Sequence, residues 1–200
     1  MDQNTAVGVV GAGTMGQGIA QIASTFGHQV YLYDAYPDQL GSAKHALRKI
    51  LQRQVEKDRM TQEEVDGIMN RIHFVEDLTD FDKCGLVIEA VVEDLDIKQD
   101  VFQRIEGIVP HDCILATNTS SLSIASISSA LKKPNRFLGI HFFNPAPIMP
   151  LVEIVPGITT TQQTSKTARK LVDDWGKTTV LAKDTPGFIV NRVARPFYSE

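Results

Sequence analysis

Apolar residues along this chain fall into two patterns. Short unbroken runs occupy residues 6–10, 29–33, 72–75, 85–91, 113–117 and 136–141, and these predict strands. Between them, at about 14–26, 37–57, 61–70, 96–109 and 122–132, apolar residues return every three or four positions, which predicts helices. Runs such as Gly85-Leu86-Val87-Ile88 show no polar alternation, as expected of strands covered on both faces. Strands alternating with helices predict an α/β fold with a doubly wound, mostly parallel sheet. A strand at 151–155, a helix at 162–175 and a strand at 178–182 extend it. From Phe188 onward, Phe188, Ile189, Val190, Val193, Ala194 and Phe197 recur at helical spacing, and no terminating glycine or cap follows before Glu200. An apolar helical stripe needs a surface to bury against. The expectation is a domain over residues 1–186, with 187–200 the first part of a helix that opens an all-α second domain. A short terminal helix folded back on the first domain is the alternative.

The first strand runs directly into Gly11-Ala12-Gly13-Thr14-Met15-Gly16, and a helix pattern starts at once. Gly11 permits the tight turn, Gly13 lets a pyrophosphate approach the backbone, and Gly16 lets the helix pack close to the strand. Thr14 and Met15 open the helix, whose free N–H groups attract phosphate. Asp34 closes the second strand about 20 residues later, where a dinucleotide's ribose diol belongs. Its carboxylate repels a 2′-phosphate, and Ala35-Tyr36-Pro37 supplies no arginine, so NAD is expected rather than NADP. A Rossmann-type dinucleotide site is the reading. The plainer alternatives are a glycine turn without a ligand and a helix-capping Asp34, a task Asp38 can also fill.

Charge and cysteines narrow the class. A net charge of −4 over 200 residues argues against nucleic acid as the main partner. No apolar run approaches the length of a membrane span. The first strand begins at Ala6, leaving little room for a leader. Cys84 and Cys113 border apolar strands without metal-ligand spacing, and are expected to be buried, reduced thiols of a cytoplasmic protein with no metal site.

Ligands of open α/β sheets bind at the carboxyl ends of the strands. Glu89, Glu93 and Lys98 follow the fourth strand, Asn118-Thr119-Ser120-Ser121 the fifth, and His141-Phe142-Phe143-Asn144-Pro145 the sixth. His141 is the candidate base, because an imidazole titrates near neutrality and can take a proton from an alcohol. Glu153 lies in the apolar strand Leu151-Val152-Glu153-Ile154-Val155, a costly place for an unpaired charge, and is its candidate partner. A packed core histidine is the alternative. His28, His45, His73 and His111 are expected to be structural or solvated.

Taken together, GAGTMG with Asp34, Ala116-Thr117-Asn118-Thr119-Ser120-Ser121-Leu122, Gly139-Ile140-His141-Phe142-Phe143-Asn144-Pro145-Ala146-Pro147 and Thr185-Pro186-Gly187-Phe188-Ile189-Val190-Asn191-Arg192 resemble the L-3-hydroxyacyl-CoA dehydrogenases. The tail 195–200 is most similar to a bacterial branch acting on 3-hydroxybutyryl-CoA or 3-hydroxyadipyl-CoA. The resemblance implies NAD-dependent oxidation of a 3-hydroxyacyl-CoA, with His141 as base and Glu153 orienting it. It implies that Ser120 and Asn191 hydrogen-bond the substrate, and that Glu93, Lys98, Ser120 and Asn144 line the NAD site. It also implies an acyl-CoA partner, a homodimer formed through the second domain, and efficient catalysis only with that domain. One departure is Pro150, where the family usually has lysine. Lys49, Arg53 and Lys57 share a helix face that is either a solvated surface or a contact for CoA phosphates, with Lys57 the single choice. Ser120 has a helix cap as its alternative role, which Ser121 or Ser123 can also fill, and Asn191 an exposed helical position. A dehydrogenase of a free hydroxy acid and a non-catalytic NAD(H)-binding protein are the competing functions.

Overall fold

In the computed structural model, which describes residues 4–198, those at 195–198 by their backbone alone, the alternation closes into one eight-stranded sheet. One half holds β1 (Ala6–Val10), α1 (Thr14–Thr25), β2 (Val30–Tyr33), α2 (Pro37–Val55), α3 (Gln62–Asn70) and β3 (Ile72–Val75). The other holds β4 (Cys84–Glu89), α4 (Leu95–Glu106), β5 (Ile114–Thr117), α5 (Ile124–Ser128) and β6 (Phe137–Phe142). β7 (Leu151–Pro156), α6 (Gln162–Asp174) and β8 (Thr178–Leu181) extend the sheet, and α7 (Val190–Tyr198) follows. The order is β3-β2-β1-β4-β5-β6-β7-β8, parallel from β3 to β6. β7 turns antiparallel to β6, and β8 runs parallel to β7. The strand order reverses between β1 and β4, the place where such sheets open a crevice.

Each face of the sheet carries its own core. Val7 and Val9 of β1 join Ile19, Leu47, Ile140 and Trp175 on one side, while Val10 joins Phe81, Val87, Phe102 and Phe137 on the other. This two-sided burial explains the unbroken apolar strands.

Several boundaries differ from the pattern, each for a local reason. β4 stops at Glu89, short of 91, because the Glu89 side chain takes the Val91 N–H at 2.7 Å and turns the chain. The helix expected over 122–132 is only Ile124–Ser128. Its serines compete for the backbone: Ser128 donates to the Ala125 carbonyl and Ser129 to that of Ser126. Two 3-10 turns, Leu78–Lys83 and Pro134–Arg136, have no periodic signature and were not foreseen. α7 begins at Val190, two residues late, because Gly187 (φ 76°) and Phe188 (φ 47°) occupy the left-handed region. The Phe197 side chain of the apolar stripe, and the tail residues Ser199 and Glu200, lie outside what is described.

Candidate active site

The carboxyl edge of the sheet surrounds a cleft of about 480 Å³ whose walls include Met15, Glu93, Ser120, His141, Asn144 and Asn191. Expected residues from five separate segments of the chain therefore meet in one place.

The glycine turn forms one end. Gly11 has φ 101°, and a Cβ on it would lie 2.6 Å from the Ala90 carbonyl oxygen. A Cβ on Gly16 would stand 1.7 Å from the Gly11 carbonyl oxygen, so packing alone requires glycine at both positions. Gly13 is different: a Cβ there meets nothing within 4 Å. Gly13 is also the N-cap of α1, where no side chain caps the helix and no acid occupies the first turn. Open space and free N–H groups suit a pyrophosphate. Asp34 accepts from the Ala12 N–H through Oδ2 (2.7 Å) and from the Tyr36 N–H through Oδ1 (3.0 Å), which fixes it beside the turn. Neither Asp34 nor Asp38 caps α2; Tyr36 is the N-cap, without a side-chain bond, and Pro37 starts the helix. Thr14 lines a neighbouring cleft. The donor set, the open cradle and the acid at the tip of β2 fit a dinucleotide.

β6 and β7 bring the second feature. Their register sets His141 directly opposite Glu153. Nδ1 of His141 lies 2.7 Å from Glu153 Oε2, and both side chains are buried. A carboxylate only accepts, so Nδ1 carries a proton toward Glu153, and in the neutral ring Nε2 keeps its lone pair. The rings of Phe143 and Phe188 pack 4.5 and 5.7 Å from the imidazole. Glu153 Oε1 accepts from the N–H groups of Ile189 and Val190, each at 2.9 Å. Burial pushes Glu153 up, but the His141 bond and the two amides outweigh it and hold the carboxyl below its usual range.

The opposite wall is built by β4, β5 and α4. Lys98 is fully buried, its Nζ 2.6 Å from Glu89 Oε1 and 3.3 Å from Glu93 Oε2. Glu89 also accepts from the Thr117 hydroxyl at 2.8 Å, although burial still drives its carboxyl upward. Glu93 Oε1 gathers the Thr119 hydroxyl (2.6 Å), the Ser120 N–H (2.9 Å), and the Ser121 N–H (3.1 Å) and hydroxyl (2.9 Å). Against the cost of burial, these donors and Lys98 bring Glu93 down to about 2. Glu93 and Lys98 thus border the cleft, but their charged atoms are engaged within the chain.

The remaining candidates divide. Ser123, not Ser120, caps α5. The Ser120 hydroxyl stands a long 3.5 Å from Glu93 Oε1, and Asn191 Nδ2 donates to the Ser120 carbonyl at 3.4 Å. Asn144 borders both this cleft and a second one of about 740 Å³ between α1, α2 and the loop after β6. That loop contains Pro150 in place of lysine. Lys177 holds it, donating to the carbonyls of Ala146, Pro147 and Met149 at 2.7, 3.2 and 2.9 Å. Lys57 does not share the helix face with Lys49 and Arg53: α2 ends at Val55, and its residues that reach the second cleft are Ile50 and Gln54.

Two features escaped the sequence reading. The Ile189 and Val190 donors are backbone atoms, signalled only by the helix-breaking Pro186-Gly187 before them. The Glu89–Lys98 pairing had a usable signal, an acid ending an apolar strand and a lysine on the next helix.

Known proteins resemble this chain over nearly all of its length. The family model for the NAD-binding domain of 3-hydroxyacyl-CoA dehydrogenase matches residues 6–185. The 3-hydroxyadipyl-CoA dehydrogenase of Escherichia coli K12 is 43% identical over 97% of this chain and 41% of its own length. A probable 3-hydroxybutyryl-CoA dehydrogenase of Deinococcus radiodurans is 40% identical over 96% of this chain and 69% of its own. A crystal structure of 3-hydroxybutyryl-CoA dehydrogenase from Escherichia coli K12 superposes with a TM-score of 0.95 at 42% identity, covering 98% of this chain and 42% of that one. The chain spans less than half the length of two of these three relatives.

Proposed function

The chain belongs to the 3-hydroxyacyl-CoA dehydrogenase family through its NAD-binding domain, and on that footing we propose that it serves the NAD-dependent oxidation of an (S)-3-hydroxyacyl-CoA to the 3-oxoacyl-CoA. NAD is the cofactor of this domain; when bound it supplies a nicotinamide ring that takes up the hydride from C3. Gly11, Gly13 and the first residues of α1 hold its phosphates, and Asp34 the ribose diol. His141 Nε2 accepts the proton of the 3-hydroxyl as the carbonyl forms. Glu153 stabilises the imidazolium and keeps the ring in the needed tautomer. Ser120 and Asn191 hydrogen-bond the substrate oxygens. The observation that carries this reading is the 2.7 Å His141–Glu153 contact at the edge of the cleft.

His141→Gln tests it. Turnover of 3-hydroxybutyryl-CoA is expected to fall by about 10²–10⁴, while NAD affinity stays near the parent's. A variant turning over at the parent rate would dismiss His141 as the base. The names of the relatives differ in acyl group, adipyl against butyryl. Fatty-acid and phenylacetate-type breakdown both suit the chemistry, and a panel of short, long and dicarboxylic acyl-CoAs beside the free hydroxy acids separates them. A cytoplasmic setting is supported by Cys84 and Cys113, both buried and free, with burial pushing Cys84 up to about 12. Among the described residues, no helix is long and apolar enough to cross a membrane.

A further inference from the structure

The start of α7 and the residue before it touch both walls of the cleft. On one side the Ile189 and Val190 N–H groups reach Glu153 Oε1, each at 2.9 Å, while the other oxygen of the same carboxylate holds His141. On the other side Asn191 Nδ2 donates to the Ser120 carbonyl at 3.4 Å. The approach to the turn is tightly determined. Phe188 has φ 47°, a conformation uncommon for a residue with a Cβ, and its ring is only 3% exposed beside the imidazole.

We propose that the backbone N–H groups of Ile189 and Val190 are positioning groups for the base: they share the Glu153 carboxylate with His141, set how firmly the imidazole holds a proton, and tie that property to the placement of α7. The reasoning is electrostatic. Each N–H draws negative charge away from the carboxylate. Removing one leaves more charge facing Nδ1–H, which stabilises the imidazolium. His141 in the altered protein therefore holds its proton to higher pH. The surroundings leave this exchange undisturbed. Across the cleft, Lys98 is engaged with both Glu89 and Glu93. On the segment leading to α7, Asp184 accepts from the Ser123 hydroxyl and the Ile124 and Ala125 N–H groups, and Lys183 and Arg192 are exposed. The inference rests on the proposed reaction only in taking His141 as the base.

Val190→Pro removes one donor at the first residue of α7, the helical position that best tolerates proline. In the full-length protein, the NMR titration midpoint of the His141 ring is expected to rise by about 0.5 pH unit. The acid limb of the kcat/KM profile should move the same way. Val190→Ala retains the donor and should give a much smaller shift. A folded Val190→Pro with an unmoved midpoint overturns the proposal. Should that variant fail to fold, the parent decides: the amide proton shifts of Ile189 and Val190 are expected to titrate with the same midpoint as the His141 ring, and flat amides overturn it. The ring titration needs no substrate. Failure to oxidise any acyl-CoA would therefore remove the proposed reaction and leave this inference standing.

Discussion

Glu153 and Glu93 flank the same cleft, and each is hydrogen-bonded and held below the usual carboxylate range. Their partners differ in kind. Glu93 faces hydroxyls, backbone N–H groups and a buried lysine, none of which gives or takes a proton in the proposed reaction. Glu153 gives one oxygen to two amides and the other to an imidazole, which gains and loses a proton in the proposed reaction. Glu93 therefore fastens the Ser120 loop, and in the proposed reaction Glu153 is the partner of the proton acceptor. The number of hydrogen bonds does not separate the two roles, since Glu93 has more. What separates them is whether a partner exchanges a proton in the proposed reaction.

The contrast breaks most visibly at Glu153→Gln. The substitution keeps the volume and removes the charge that steadies the imidazolium. The proposed oxidation is expected to slow by about 10³, within the range for removing a general base's support, with NAD affinity near the parent's. Initial rates and a cofactor titration measure both. A loss below tenfold would place Glu153 in the same class as Glu93.

On the opposite wall the largest effect belongs to stability. Lys98→Met leaves Glu89 fully buried without its counter-charge. Breaking such a pair costs about 3–5 kcal/mol, readable in urea unfolding. Lys98→Met with Glu89→Gln should recover most of that loss, because the stranded charge is gone.

Glu93→Gln is expected to cost less, about 1.5–3 kcal/mol for hydrogen bonds to a charged group, and to carry a pH signature. A carboxyl brought from 4.5 to about 2 on folding stabilises the protein fully above 4.5 and loses that contribution as pH falls toward 2. The parent should thus lose stability relative to Glu93→Gln across that window and run parallel to it above. Parallel curves throughout would mean that the donors around Glu93 do not favour its charged form.

The same contrast marks what the sequence could disclose. The glycine turn, Asp34, His141 and Glu153 were legible because each breaks a pattern: glycines between strand and helix, polar residues inside or at the end of apolar runs. Even the pairing of His141 with Glu153 followed from a buried carboxylate needing a hydrogen-bond donor. The fastening of Ser120 was less legible. It depends on Glu93 collecting donors from a loop 26 to 28 residues away, a register that spacing does not encode. The amides of Ile189 and Val190 were illegible as residues, since any side chain but proline offers the same donor. The short α5 failed for a related reason: its serines bond the backbone locally, so the apolar period overstated the helix.

The smallest expected effect lies outside both walls. Lys57 follows α2 in a turn, past the helix face that carries Lys49 and Arg53. A lysine at such a place can meet a CoA phosphate only as an exposed ion pair, which is worth about 0.2–1 kcal/mol. Lys57→Ala is therefore expected to raise KM for the acyl-CoA by about 1.4- to 5-fold and to leave kcat unchanged. The effect should fade as added salt shortens the screening length to about 3 Å near 1 M. Neither Glu153→Gln nor Glu93→Gln should show that salt dependence, because their partners are direct hydrogen bonds inside the protein. A KM equal to the parent's at low salt would assign Lys57 to the solvated surface, and a fall in kcat would mean that this turn reaches the reacting groups after all.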